Sequence, residues 1–474
     1  YCEEKYITEY DIPTPHSGPI GITVDPEGMI WFAETNATKI ATFNPEDKTF
    51  KEYSMPVSSR LQKDGAQIWG MKFDGRGNLW FTEATEAAIW RFDTSKETFE
   101  RYPLQPSTVF PIQLAFDSEG YLWFTELYGD RIGRLDPSKV VNNTREGISE
   151  YSIPTSDAGA AGILFDKDEN LWFAESFSKK VAMLDTSTIR FKEYELPRPV
   201  YALVGLAFDN ENRLWITDHG SSKFYRFDPQ TSEFKEYSTS ESPFFPVSLP
   251  YYIVSDSKGR VWMNEHYGNI IAVMDPESDV LTEYGIPTRD PRFGNISNVL
   301  HLTVDREDNI WFTEWTSNKI AVLDTHLPVP FSLETSERTI NIDLGGNANI
   351  TVKLNIDGLL DSPVHLYASG TFAPAGGLER LEASFEPSEL VSERSVSTLT
   401  LKANRTLLPG VYTLMVGGKH HDVNRLVAVE LVVGSPSISS PFFETWGLLL
   451  LALTPLLAVA LYVFFRRFRR GSSG

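Results

Sequence analysis

The sequence predicts an all-β protein, in which a seven-bladed β-propeller closed by its N-terminal strand precedes a β-sandwich and one C-terminal transmembrane helix. Three observations predict this order: a tryptophan motif that recurs seven times in 474 residues, a β-rich stretch without the motif, and an uncharged run of 20 residues near the C-terminus. We therefore divide the chain into a propeller (1–328), a sandwich (329–434), a linker (435–445), a transmembrane helix (446–465) and a tail (466–474).

The repeated motif is an aspartate, four variable residues, a hydrophobic residue, tryptophan, an apolar residue, one variable residue and an acid. The seven tryptophans are Trp31, Trp80, Trp123, Trp172, Trp215, Trp262 and Trp311. Their spacing of 43 to 49 residues is typical of propeller blades built from four short strands. In the first copy we expect strands at 21–24, 30–33, 39–43 and 50–53, the first two joined by a glycine-containing turn.

The seventh copy lacks a fourth strand, because the chain leaves the pattern after Asp324. The other copies end on a Glu-Tyr or Arg-Tyr strand, and residues 7–13, which precede the first copy, contain Glu9-Tyr10. Pairing this N-terminal segment with the last copy would close the ring and remove two exposed sheet edges.

Composition excludes several classes of function. The net charge of -21 repels nucleic acid, and a single cysteine can form neither an internal disulfide nor a thiolate-rich metal site. The chain begins with Tyr1 rather than methionine, a pattern expected after removal of a signal peptide.

Residues 446–465 carry no charge, and at about 1.5 Å per residue a helix of this length spans one bilayer core. Four arginines follow within 466–470, so the positive-inside rule places the tail in the cytoplasm and the preceding domains outside the cell membrane. A buried core helix is the alternative for this segment. Five glycosylation sequons fit an exterior location: Asn36, Asn142, Asn295, Asn349 and Asn404.

From about residue 331 to residue 434 the sequence alternates short β-rich runs, which predicts a sandwich. Residues 404–417, which include Pro409-Gly410-Val411-Tyr412, resemble the last hairpin of immunoglobulin-like modules on microbial surface proteins. We expect His420-His421-Asp422 to be a solvated turn, with a metal contact as the alternative.

The repeats resemble the virginiamycin B lyase (streptogramin lyase) family over residues 6–325. The closest stretches are Leu122-Trp123-Phe124-Thr125-Glu126 with Arg131-Ile132-Gly133-Arg134, and Gly18-Pro19-Ile20-Gly21-Ile22. The resemblance implies a seven-bladed propeller and magnesium-assisted elimination that opens cyclic streptogramin B antibiotics. It also implies a catalytic histidine at the second position of a Pro-x-Gly segment. The seven equivalents here lack histidine: Ile20, Trp69, Ile112, Ala161, Val204, Tyr251 and Leu300.

One acid stands three residues after each tryptophan, and in five copies a Lys or Arg follows five residues later, opposite the acid across a hairpin. We interpret these five as cross-strand ion pairs. Glu83 and Glu265 face Ala88 and Ile270 instead, which leaves their carboxylates freer.

Alternating strand direction places the start of each first strand and the end of each second strand on one face. The residues there that could hold one divalent metal ion of the zinc, copper or nickel type are His16, Asp218, His219, Glu265, His266 and His301. Solvated loop histidines are the alternative. Three of these residues are also the candidate catalytic groups: Glu265, His266 and His301.

The same face is rich in aromatic residues, which suit a ligand or a protein partner or, alternatively, pack the long loops together. The ligand-binding candidates are Trp69, Glu83, Phe110, Tyr201, Tyr251 and Tyr252. The sequence thus predicts a membrane-anchored extracellular propeller that binds a ligand or a partner protein. The alternative is a metal-dependent lyase with altered catalytic residues.

Overall fold

The computed structural model describes residues 6–56, 58–196, 200–240, 245–357, 360–370 and 381–434. Almost all regular structure in these ranges is β-strand, which confirms the all-β class. Three short helical segments occur there: a 3-10 turn at Thr35–Ala37, a helix at Ser59–Asp64 and a 3-10 turn at Pro291–Phe293. Within the described ranges no helix has the length and apolarity that a bilayer crossing requires. The predicted linker, membrane helix and tail lie outside these ranges.

Each of the first six tryptophan copies forms four consecutive antiparallel strands of one sheet, the seventh forms three, and we number the sheets 1 to 7 in chain order. Sheet 1 contains β2 (Pro19–Val24), β3 (Ile30–Glu34), β4 (Lys39–Phe43) and β5 (Phe50–Ser54). Sheet 2 contains β6 (Ile68–Phe73), β7 (Asn78–Glu83), β8 (Ala88–Asp93) and β9 (Thr98–Pro103). Sheet 3 contains β10 (Pro111–Phe116), β11 (Leu122–Glu126), β12 (Arg131–Leu135) and β13 (Ile148–Ser152). Sheet 4 contains β14 (Ala160–Phe165), β15 (Asn170–Glu175), β16 (Lys180–Asp185) and β17 (Arg190–Glu195).

The remaining three sheets follow the same order. Sheet 5 contains β18 (Leu203–Phe208), β19 (Leu214–Asp218), β20 (Lys223–Asp228) and β21 (Glu233–Ser238). Sheet 6 begins with β22 (Pro250–Ser255), β23 (Val261–Glu265), β24 (Ile270–Asp275) and β25 (Val280–Gly285). Sheet 7 contains β26 (Val299–Val304), β27 (Ile310–Glu314), β28 (Lys319–Leu323) and β1 (Ile7–Asp11).

The N-terminal strand completes sheet 7, as the sequence predicts. β1 pairs antiparallel with β28, with Ile7 opposite Leu323 and Asp11 opposite Lys319. The first strands of neighbouring sheets contact one another round a closed ring, including β26 of sheet 7 against β2 of sheet 1. At this seam the Oγ1 of Thr313 also donates to the carbonyl of Ile20 at 2.7 Å. The first and last parts of the repeat region are therefore joined by both backbone and side-chain hydrogen bonds.

The aspartate and tryptophan of the repeat are hydrogen-bonded partners. In sheet 3 one oxygen of Asp117 accepts from the backbone N–H of Tyr121, and the other accepts from Nε1 of Trp123, both at 2.8 Å. The other six sheets repeat the Asp–Trp bond at 2.8 to 2.9 Å. The tryptophans are buried, so the aspartate fixes the turn and satisfies an indole N–H that burial would otherwise leave unpaired.

The C-terminal β-rich region forms two sheets that share one apolar core, including Val352 and Leu399 from one sheet and Val416 and Val429 from the other. One sheet has the order β29 (Phe331–Thr335), β31 (Asn347–Ile356), β35 (Val396–Ala403), β33 (Leu381–Glu386). The other has the order β37 (Val423–Gly434), β36 (Gly410–His420), β32 (Val364–Gly370), β34 (Glu389–Leu390), and β30 (Thr339–Asp343) lies parallel to β37.

Strand β37 also pairs antiparallel with β25, the outer strand of sheet 6, with Val280 opposite Val427 and Tyr284 opposite Val423. Sheet 6 and one sheet of the C-terminal region are therefore a single nine-stranded sheet. The two regions are joined by a continuous hydrogen-bond ladder, which the sequence alone does not indicate.

Candidate functional site

A bulge at the start of every first strand forms the candidate site. In each sheet the register with the second strand shifts between the first and fourth residues of the first strand. The second and third residues of each first strand are thus unpaired with the second strand. In five sheets a side chain of the second strand donates a hydrogen bond to a backbone carbonyl at the start of the next sheet's first strand. Bulges of this kind re-aim side chains, here towards the ring axis.

The second residues of six first strands surround a cavity of about 280 Å³ on the face where the first strands begin, called the upper face below. They are Trp69, Ile112, Ala161, Val204, Tyr251 and Leu300, and the remaining lining residues are Leu127, Ser176, Phe177, Ala202, His219 and His266. Six of the seven positions that the family resemblance assigns to a catalytic histidine therefore line a cavity, and they carry apolar or aromatic side chains.

Two histidines form one side of the cavity. Nε2 of His219 and Nδ1 of His266 share a hydrogen bond of 3.0 Å, and the two rings are stacked with their centroids 5.3 Å apart. Burial and then the charge of His266 lower the pKa of His219 to about 3, and burial lowers the pKa of His266 to about 4. Both imidazoles are therefore neutral near pH 7, so each can donate or accept a hydrogen bond without carrying charge.

Two aromatic rings that line the same cavity contact each other. The rings of Trp69 and Tyr251 are 6.2 Å apart in an edge-to-face arrangement, and the ring of Tyr251 also contacts His219 at 4.5 Å. Nε1 of Trp69 is buried and has no hydrogen-bond partner in the described structure. The cavity is thus lined by aromatic rings, one of which carries a buried N–H without a partner.

The third residues of three first strands fill the ring axis next to the cavity. Nε2 of His301 lies 3.3 Å from Nε2 of Gln113, which belongs to sheet 3, and the His301 ring stacks on Tyr252 at 3.6 Å. Burial and then the charge of Lys72 lower the pKa of His301 to about 3. His301 and Tyr252 are therefore part of a packed cluster at the axis and are separate from the His219–His266 pair.

Gln113, like Phe177 and Leu127, is a site residue that sequence reasoning missed. The third position of the first strand is glycine in four copies, because a Cβ there would meet the neighbouring strand: at Gly162 it would lie 2.2 Å from the carbonyl of Val204. The departures from glycine at Gln113, Tyr252 and His301 are the signal that could have identified the axial cluster.

An aromatic rim adjoins the cavity. Phe177, a lining residue, stacks on Tyr128 at 5.9 Å, and Phe110 contacts Tyr128 at 5.5 Å. Tyr128, Phe177 and Tyr201 are 62%, 47% and 53% exposed, which is unusual for such large rings. The rim therefore extends the apolar surface of the cavity outward across sheets 3 to 5.

Two of the predicted acids accept hydrogen bonds from the local backbone. Asp218 accepts hydrogen bonds from the backbone N–H groups of Tyr201, Ala202 and Gly220 and from the hydroxyl of Ser221. Glu83 accepts from the N–H groups of Thr85 and Glu86, and burial raises its pKa to about 7. Both carboxyl groups are buried and engaged in shaping the loops of the upper face.

The predicted ion pairs form in only one of the five sheets where we expected them. The acids do lie opposite the bases in register, but Arg131 alone bonds the acid opposite it, Glu126, at 2.8 Å. Within the described ranges the four lysines bond other acids instead, as Lys39–Glu52, Lys180–Glu193, Lys223–Glu236 and Lys319–Asp11. Fourth-strand acids compete for the cation and are less buried, so the second-strand acids remain desolvated. Burial raises the pKa of Glu34, Glu126 and Glu175 to about 7.

Sheet 6 has no basic residue at this place, because Ile270 lies opposite Glu265. Glu265 is next to Glu283, and both are at most 1% exposed. Burial and then the charge of Glu283 raise the pKa of Glu265 well above its usual value, and burial raises the pKa of Glu283. Glu283 accepts hydrogen bonds from the N–H of Ser240 at 2.7 Å and from Nδ2 of Asn424 in β37 at 2.8 Å.

The six metal candidates do not converge. His16 is exposed, Asp218 is bonded to backbone, and His219 and His266 pair with each other. Glu265 lies beside Glu283, and His301 belongs to the axial cluster. In the described ranges one group of three potential ligands has its donor atoms within 4.8 Å of one another, and it lies in the C-terminal region: Asp361, His420 and His421. The five sequon asparagines are all exposed.

Comparison with known proteins supports this description of the repeat region. A model of the virginiamycin B lyase family matches residues 7–297. A virginiamycin B lyase structure from Staphylococcus aureus is 25% identical with a TM-score of 0.58, covering 67% of this chain and 98% of that one. A streptogramin B lyase structure is 28% identical with a TM-score of 0.58, covering 67% and 97%.

A further structural match extends beyond the repeat region. The extracellular domain of a one-component system from B. thetaiotaomicron has a TM-score of 0.52 at 15% identity, covering 89% of this chain and 57% of that one, a likeness of fold alone. A comparison with curated proteins gave no match.

Proposed function

The chain belongs to the virginiamycin B lyase family, and we propose that it is a membrane-anchored extracellular member that binds a small, uncharged, largely apolar ligand in its upper cavity. In this proposal sheets 1 to 7 are the blades of a seven-bladed propeller. The C-terminal region is an immunoglobulin-like module that holds the propeller away from the membrane helix at 446–465.

The observation that carries the proposal is a largely apolar cavity lined by a tryptophan whose indole N–H has no hydrogen-bond partner in the described structure. A buried N–H without a partner, such as Nε1 of Trp69, costs about 1 to 3 kcal/mol, which a ligand carbonyl or ester oxygen would recover. None of the twelve lining residues is Lys, Arg, Asp or Glu, and the two histidines are neutral, so the described lining offers no counter-charge to an ionised ligand. Its volume of 280 Å³ is close to the lower end of the usual range for ligand sites, about 300 to 1,000 Å³, which favours a small ligand.

Two neutral probes test this proposal with the full-length chain. Benzyl acetate has an apolar ring and an ester acceptor, whereas butylbenzene keeps the ring and lacks the acceptor. We expect both to bind, as measured by saturation-transfer NMR, and Ala161→Phe to abolish binding by filling the cavity. Trp69→Phe should weaken benzyl acetate binding by about fivefold, since one hydrogen bond is worth about 1 kcal/mol, and leave butylbenzene unaffected.

Trp90→Phe is the matched control. Trp90 is in the same sheet, and its Nε1 is also buried without a partner, but it is not a lining residue. Failure of either probe to bind, or binding that survives Ala161→Phe, would overturn the proposal.

Membrane anchoring is tested separately. The full-length chain should remain in the membrane pellet after alkaline carbonate extraction, and a chain ending at residue 445 should be released. Release of the full-length chain would argue against the anchor.

A second candidate function is the family's own elimination reaction, which the pair of neutral imidazoles favours. In that reaction a base removes the proton next to the carbon that bears the ester oxygen, the C–O bond breaks, a double bond forms and a carboxylate leaves. Magnesium, which the family resemblance implies, prefers oxygen ligands, and none of the described residues that line the cavity carries a carboxylate. The residues present therefore do not fit that ion, and we derive no step through it.

Incubation of the chain with virginiamycin B and magnesium separates the two functions. Elimination leaves the mass unchanged and hydrolysis adds one water, so chromatography followed by mass spectrometry identifies a linear product of either kind. We expect none. A linear product of unchanged mass that disappears in His219→Ala would establish the lyase function instead.

A further inference from the structure

Three side chains with metal-binding donors meet at one end of the C-terminal region. His420 is the last residue of β36, His421 begins the two-residue turn to β37, and Asp361 precedes β32. Oδ1 of Asp361 lies 2.7 Å from Nε2 of His421 and 3.5 Å from Nε2 of His420. These are the donor atoms that together lie within 4.8 Å of one another.

The turn brings the two imidazoles to the same side of the chain. Successive residues of a strand point to opposite faces, which would separate His420 from His421. The backbone of His421 adopts a positive φ of 50°, and the two rings lie 4.4 Å apart as a result. Oγ of Ser362 lies 3.3 Å from both Nδ1 of His420 and Nε2 of His421, so a hydroxyl completes a polar shell around the donors.

The donors suit a zinc-type ion. Zinc binds imidazole nitrogen and carboxylate oxygen at about 2.0 to 2.2 Å, and tetrahedral geometry then places neighbouring donors about 3.4 Å apart. The 3.5 Å between His420 and Asp361 matches this spacing, and the 2.7 Å hydrogen bond between His421 and Asp361 would lengthen by under about 1 Å. The His420 side chain is 8% exposed, whereas His421 and Asp361 are 48% and 70% exposed, so the site has one rigid ligand and an open path for the ion.

We propose that Asp361, His420 and His421 bind one divalent zinc-type cation through two imidazole nitrogens and one carboxylate oxygen, with the fourth position open to water. The acid of the site is Asp361, because Asp422, the neighbour in sequence, contacts Arg289 at 3.3 Å. The carbonyl of Asp422 accepts a hydrogen bond from the N–H of Gly285 at the end of sheet 6. Bound zinc therefore braces the turn through which the C-terminal region contacts sheet 6.

The test uses the full-length chain without a polyhistidine tag, stripped with chelator and titrated with zinc chloride against a chromophoric chelator. We expect one equivalent of zinc to bind, a tetrahedral absorption spectrum when cobalt replaces zinc, and no binding of calcium, which prefers oxygen ligands. Zinc should also raise the unfolding temperature.

The variants are chosen to keep the turn and the fold. His421→Asn removes the imidazole while retaining a residue that tolerates a positive φ, and Asp361→Asn retains the shape of the carboxylate. Each should weaken zinc binding by at least about tenfold. His365→Ala is the matched control, because His365 also lies beside one acid of this region, Glu389, at 3.1 Å but has no second imidazole there.

The outcomes are distinct from those for the upper cavity. Zinc binding lost in His421→Asn and kept in His365→Ala and His219→Ala supports the site. Zinc binding that survives both His421→Asn and Asp361→Asn, or is lost only in His219→Ala, overturns it. The absence of one equivalent of bound zinc in the unaltered chain overturns it as well.

Discussion

Replacing Glu265 with glutamine should remove a pH-dependent cost of folding. Burial and the charge of Glu283 raise the pKa of Glu265 well above 4.5, so the folded chain keeps this proton at a pH where the unfolded chain has released it. The folded state is then penalised as the pH rises above about 4.5, until the pH reaches the raised pKa of the folded state. Glutamine releases no proton in either state and has nearly the same size as glutamate, so the penalty disappears in the variant.

The size of the expected effect on the free energy of unfolding is set by the one proton that Glu265 keeps in the folded chain. Over the pH range in which Glu265 stays protonated only in the folded chain, its penalty grows by about 1.4 kcal/mol per pH unit. The free energy of unfolding of Glu265→Gln, minus that of the unaltered chain, should therefore increase by about this amount per unit above about pH 5.

Urea titrations followed by tryptophan fluorescence, at unit steps from about pH 5 to about pH 8, measure this difference. Glu119→Gln changes the same group on an exposed turn and should show no such slope. Parallel stability curves for Glu265→Gln and the unaltered chain would refute the buried carboxyl pair.

Two further predictions concern the repeat and the upper cavity. Asp117→Ala should lower the free energy of unfolding by about 1 to 3 kcal/mol, because it leaves Nε1 of the buried Trp123 unpaired. Glu119→Ala in the same turn is its control. An equal effect of the two substitutions in urea titrations would contradict the structural role of the motif. Burial lowers the pKa of His266 from 6.5 to about 4, so between these pH values the unfolded chain binds a proton that the folded chain does not. The free energy of unfolding should therefore fall by about 1.4 kcal/mol per unit as the pH decreases through this range. His266→Phe should reduce this dependence on pH, and an unchanged slope in urea titrations would count against the buried neutral pair.

The sequence predicts the repeat region well because one local interaction recurs in every copy. The aspartate and tryptophan of each motif are six residues apart and bond directly, so their spacing is a physical requirement of one hairpin, as in Asp117 and Trp123. The closing strand is predictable for a similar reason: the seventh copy of the repeat supplies only three strands, and Glu9-Tyr10 has the pattern of the missing one.

The site is less predictable because it depends on groups that the repeat brings together from different copies. His219 and His266 are 47 residues apart, and nothing local to either indicates that they share a hydrogen bond. The acids that the lysines bond are difficult to predict for a related reason. Hairpin register places Lys39 opposite Glu34, but the choice of Glu52 depends on the relative burial of two acids, which requires the third dimension.

The C-terminal region docks on sheet 6 at the place where most other sheets have one base and two acids. In sheets 1, 4 and 5 a lysine neutralises the fourth-strand acid, as Lys39 does for Glu52. In sheet 6 that lysine is replaced by Ile270, and the fourth-strand acid, Glu283, instead accepts from Asn424, which the C-terminal region contributes through β37. Nδ2 of Asn424 thus supplies Glu283 with the hydrogen-bond donor that a lysine supplies in those sheets. Sheet 2 also lacks the base, since Ala88 lies opposite Glu83, so the absence of the base does not by itself identify the docking sheet. What distinguishes sheet 6 is that Asn424 of β37 supplies the donor to its fourth-strand acid.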